Sequence, residues 1–147
     1  MSENKVDLKK ILSVSGHSSL FAFVGKTKSG VIVENINDKK RTVFGESAKV
    51  SSLSDISVFT NTEEISLITV LEKIKEKEGG KIVGIEVKKV APEILKKYFE
   101  EILPDYDRDR LYVSHMKKIL DWYNQLQIND MLDFEKDNAT EDIKNDE

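Results

Sequence analysis

The sequence has no cysteine, which excludes disulfides, thiol nucleophiles and cysteine-ligated zinc. It has two histidines, His17 and His115. Neither has a second histidine or another ligand-type residue four positions on, so the spacing offers neither a metal centre nor a catalytic triad. Ser13, Ser15, Ser18 and Ser19 surround Gly16, but without the spacing of a nucleophile elbow. Long apolar runs are missing as well. The longest is Leu20-Phe21-Ala22-Phe23-Val24, far short of the ~20 residues of a membrane span. Lys9-Lys10 precede only Ile11-Leu12, too little for the core of a signal peptide. These absences predict a cytoplasmic protein that is not an enzyme and uses no cofactor or metal.

What is present is charge, unevenly spread over 147 residues. Residues 129–147 hold eight acids against Lys136 and Lys144, a net −6, while residues 1–60 hold nine basic and six acidic groups, a net +3. The overall −4 therefore conceals a mildly basic front and an acidic end.

Residues 8–60 read as short strands separated by turn signals. The runs are Lys10–Val14, Leu20–Val24, Val31–Ile36, Arg41–Phe44 and Ile56–Thr60, with turns at Lys28-Ser29-Gly30 and Asn37-Asp38. In Leu20–Val24 both alternating faces are apolar, which predicts a strand covered on both sides. Ser51–Asp55 reads as a tight helical turn before the last strand. That pattern predicts a small SH3-like β-barrel over residues 8–62.

Helical spacing takes over in residues 63–128. Leu67, Ile68, Val70, Leu71 and Ile74 follow Ser66 as N-cap, and Gly79-Gly80 stops the helix. Pro92 opens a second helix with Ile94, Leu95, Tyr98, Phe99, Ile102 and Leu103 on one face. Ser114 reads as the cap of a third, whose inner stripe is Met116, Ile119, Leu120, Tyr123 and Leu126. Lys81–Val90 fits either a strand or a loop. The expected fold class is α+β: a barrel, a helical unit, and an acidic disordered tail over 129–147.

Several of these stretches resemble a known family. Lys10–Gly16, Gly30–Glu34, Val50–Ile56, Tyr98–Arg110, Lys117-Lys118-Ile119 and Trp122-Tyr123-Asn124 are similar to an uncharacterised Bacteroidetes family. It is built of two adjacent domains of unknown function followed by an acidic tail. The resemblance covers about residues 8–130 and implies no activity.

Four motifs bear on function. Gly25-Lys26-Thr27 ends like a phosphate-binding loop, but Leu20 stands where a glycine is needed and a strand follows. Asp105, Asp107 and Asp109 have the spacing of a calcium loop. Arg110 replaces its glycine and Met116 its glutamate, so Asp105, Asp107, Arg108, Asp109 and Arg110 read as structural ion pairs. Trp122, at the edge of the inner stripe with Tyr123 beside it, is either core cover or the anchor of a protein interface. Lys26, Lys28, Lys39, Lys40 and Arg41 sit at two hairpin tips, where they are either solvated turns or one nucleic-acid-binding patch. The function expected is a cytoplasmic interaction module with an unidentified protein partner. Binding of RNA or DNA through the basic hairpins is the alternative.

Overall fold

The computed structural model describes residues 5–134. A 3-10 turn at Leu8–Lys10 leads into five antiparallel strands: β1 (Ile11–Val14), β2 (Phe21–Lys26), β3 (Gly30–Asn35), β4 (Arg41–Gly45) and β5 (Val50–Ser52). They form one sheet in the order β4-β3-β2-β1-β5. The apolar alternation of β2 divides between two clusters. Leu20 and Ala22 face the main core, while Phe21 and Phe23 face a second cluster with Leu12, Val14 and Val33. At Val24 the alternation fails. The β2–β3 register slips between Phe23 and Gly25, leaving Val24 as the extra residue of a bulge and 40% exposed.

The expected barrel does not form. The sheet is open, and no ladder joins its edge strands β4 and β5 among the described residues. The strand expected to close it, β6 (Ser57–Phe59), pairs instead with β7 (Glu64–Ser66) in a separate ribbon, with Val58 opposite Ile65. The Thr60 hydroxyl holds the connecting turn by accepting from Glu63 N at 3.0 Å and donating to Glu63 O at 2.8 Å. A local partner a few residues away costs less loop entropy than a distant strand edge. β5 takes the vacant edge of β1, placing Val50 opposite Val14 and Ser52 opposite Leu12.

The helices follow their capping signals. In α1 (Leu67–Glu78) the Ser66 hydroxyl accepts from Thr69 N, and Gly79 ends the helix at φ 65°. α2 (Pro92–Ile102) starts on proline and buries Leu95, Tyr98, Phe99 and Ile102. Ile94 stays 52% exposed, so the buried face begins later than the periodicity predicts. α3 (Val113–Ile128) buries the expected stripe of Met116, Ile119, Leu120, Tyr123 and Leu126. Its cap is Tyr112 rather than Ser114, and Tyr112 N donates to His115 Nδ1.

Residues 81–90 form no strand; they are strapped to α3. The Asn124 side-chain oxygen accepts from Val83 N at 2.7 Å and its amide donates to Val83 O, while the Tyr123 hydroxyl donates to Lys81 O at 2.7 Å. These side chains satisfy backbone groups that a neighbouring strand would otherwise serve.

One core cluster runs through both expected units, joining Leu8, Ile11, Leu20 and Leu53 to the inner faces of all three helices. It also takes in Leu132 and Phe134 from the start of the expected disordered tail. Phe134 is 3% exposed and bridges to Val6, whose N–H donates to Asp133 O at 2.7 Å. The segment 129–134 thus docks through its apolar residues. The remainder of the expected tail, 135–147, lies outside the described residues.

Candidate functional site

The outer flank of α3 carries two adjoining hollows. Lys118 and Trp122, one helical turn apart, are common walls of both. The smaller, about 160 Å³, lies between α3 and β6 and is closed by Phe59, Arg110 and His115. The larger, about 460 Å³, lies between α3, the β1–β2 loop and the strapped segment, with His17, Lys88, Lys117 and Asp121 around it. That volume is within the ordinary range for ligand or side-chain pockets. Trp122 is half-buried against the core and half-open to this groove, an amphipathic position typical of anchoring aromatics.

The groove is rigidly framed. Gly16 turns the β1–β2 loop at φ 87°, a conformation L side chains rarely adopt. Beyond it, His17 packs edge-on against Phe21 and Phe44, with ring centroids 5.8 and 5.1 Å away. The end of this loop is fastened to α3 by Gln125, which donates to Ser18 O and accepts from Leu20 N, both at 2.8 Å. Electrostatically the groove is cationic. Lys88, Lys117 and Lys118 form no ion pair among the described residues. The one carboxylate on the lining, Asp121, accepts from the Gln125 amide at 2.9 Å.

The basic hairpin residues are all exposed, but the fold does not gather them. Lys26 and Lys28 flank the β2–β3 turn, whereas Lys39, Lys40 and Arg41 flank the β3–β4 turn, at the other end of β3. Six strand residues at about 3.3 Å each separate the two tips by about 20 Å. Consecutive hairpins of a meander necessarily turn at opposite ends, so one patch does not arise. Arg41 is also engaged, its Nε lying 3.1 Å from Glu34.

Trp122 is placed as an anchor could be; Tyr123 is not. With 0% exposure and its hydroxyl committed to Lys81, Tyr123 is a core residue, and burial raises its phenol above its ordinary pKa. The aspartate–arginine loop forms only part of the predicted network. Arg110 Nε lies 2.8 Å from Asp107, whose carboxylate also accepts from Asp109 N. Those two bonds, Arg110's first, hold Asp107 below the ordinary carboxylate range. Arg108 reaches Glu100 of α2 at 3.4 Å, while Asp105 and Asp109 make no ion pair among the described residues. Both arginines stack on rings: Arg108 over Tyr106 at 3.8 Å and Arg110 over Phe59 at 4.3 Å. The loop is therefore braced by cation–π contacts as much as by charge pairs. Among the described residues, no three histidine or carboxylate side chains gather as a metal site requires.

The sequence assigned no role to Lys88 or the lysine pair 117–118, and weighed His17 only for metal and triad chemistry. The available signal was Lys118 at i−4 from Trp122, which puts a cation and an aromatic on one helix face.

Comparison with known proteins agrees with this architecture. Residues 8–53 match the family model described as a domain of unknown function, DUF5606. Residues 56–126 match that described as a domain of unknown function, DUF6852. The comparison with curated proteins returns no match. A solution NMR structure of a protein from Bacteroides vulgatus, from the Northeast Structural Genomics Consortium, is 42% identical. It superposes with a TM-score of 0.73 over 84% of this chain and 87% of that one. The chain belongs to the family in which these two domains of unknown function stand side by side.

Proposed function

We propose that this protein is a non-enzymatic, cytoplasmic interaction module whose docking site is the Trp122 groove. Its partner is a protein segment that carries acidic residues around an aliphatic or aromatic anchor. The observation that carries this reading is the single tryptophan shared by two adjoining hollows, with three lysines beside it that form no ion pair among the described residues. An anchor side chain would gain burial against the indole, and the lysines would select acidic flanks and speed encounter. The basic hairpins are a poorer site for nucleic acid, because a phosphate backbone would have to engage two tips about 20 Å apart.

Trp122 reports on the groove directly, being the one tryptophan of the chain. Titration with a synthetic acidic peptide carrying one leucine should give a saturable change in indole emission. The double substitution Lys117→Gln with Lys118→Gln should weaken that binding about tenfold. A peptide that leaves the emission unchanged up to millimolar concentration overturns the proposal. A mixed oligonucleotide that saturates it instead assigns the groove to nucleic acid.

A further inference from the structure

We infer that the groove around Trp122 is occupied in the resting protein by the acidic segment 135–147 of the same chain, which an external partner must displace. The inference rests on the docking reading above and names a competitor for that site.

Charge comes first. Residues 135–147 contain six acids and two lysines, and the groove offers Lys88, Lys117 and Lys118 without ion pairs among the described residues. The segment also has one large aliphatic residue, Ile143, immediately after Glu141-Asp142. That is an apolar anchor with acidic flanks, the chemistry the indole and lysines favour.

Reach comes second. α3 ends at Ile128, six residues and about 9 Å along the axis beyond Trp122, and Met131 N donates back to Leu126 O at 2.7 Å. Three further residues to the docked Phe134 add at most about 10 Å. Phe134 therefore lies within about 20 Å of the groove, allowing for the width of the helix. Ile143 stands nine positions further on, a span of about 30 Å when extended. The segment reaches the groove with length to spare.

Tethering makes a weak contact effective. At an effective concentration on the order of 1 mM, a segment that binds in trans at about 0.1 mM fills the site about nine-tenths of the time. Its release should then tighten an external ligand about tenfold.

The test uses the full chain with Glu141→Gln, Asp142→Asn and Ile143→Ser together, which changes no described residue. Relative to the wild type, the indole emission should move to longer wavelength and become more accessible to iodide. The acidic leucine peptide should bind about tenfold tighter. Unchanged emission and unchanged affinity for a peptide that does bind would overturn self-occupancy while leaving the docking site standing. A shifted emission with no peptide binding would support self-occupancy and remove the external partner. A shift that depends on protein concentration would assign the contact to a second copy and overturn occupancy within one chain.

Discussion

Gln125 on α3 grips the backbone on both sides of Ser19. Its side-chain oxygen accepts from Leu20 N and its amide donates to Ser18 O, each at 2.8 Å. The same oxygen accepts from Asn37 Nδ2 at 3.0 Å. One glutamine thus joins the last helix to two loops of the N-terminal sheet, across 105 residues of sequence.

Replacing Gln125 by leucine keeps its bulk but leaves the Leu20 N–H without its partner. A lost bond at a part-buried backbone donor costs about 1–3 kcal/mol. Urea unfolding of Gln125→Leu should show that loss, and hydrogen exchange at Leu20 should quicken more than at the α1 amides. An unchanged midpoint would show that the two halves are joined by apolar packing alone.

Phe134 is a core residue despite its acidic surroundings. Phe134→Ala should destabilise the protein by about 3–5 kcal/mol, the usual cost of truncating a buried phenylalanine. Thermal unfolding of the variant measures it. Shortening the chain to Ile128 should cost at least as much, because it removes Leu132 as well.

Burial first, and then the 2.6 Å hydrogen bond to Glu78, raise the Tyr98 phenol above its ordinary pKa. A raised folded-state value stabilises the protein below the unfolded value of about 10 and loses that contribution as pH climbs beyond it. The stability difference between wild type and Tyr98→Phe should therefore be constant near neutrality and shrink above about pH 10. Urea midpoints across that range provide the check, and a difference that grew with pH would contradict the assignment.

The two basic hairpin tips should act independently. Glutamine at Lys26 and Lys28, or at Lys39, Lys40 and Arg41, should shift stability by within about 0.5 kcal/mol per substitution. At about 0.15 M salt, mixed oligonucleotides should be retained by neither the wild type nor these variants. Strong retention abolished by either set alone would show that one nucleic acid spans both tips.

Much of the fold was legible because its signals are local. Ser66 and Gly79 bound α1 through groups only a few residues away, and the α3 stripe follows from helical period alone. The open sheet with its separate β6–β7 ribbon was not legible. Val58 and Phe59 are equally good residues for closing the sheet or pairing with β7, and the choice depends on the turn at Thr60. The candidate site was legible only in Trp122. Its partners, Lys88 and His17, lie 34 and 105 positions away in the chain, and no sequence period brings them together.

By itself the sequence determined the helices, the hairpins and the absence of cysteine chemistry, since these depend on short-range backbone preference and composition. Only the tertiary structure decided which strand pairs with which edge, that Phe134 is buried among acids, and that Lys88 and His17 meet Trp122. Those outcomes depend on competition between contacts distant in sequence. Each is settled by which arrangement buries more apolar surface and leaves fewer backbone groups unpaired at the lower cost in loop entropy.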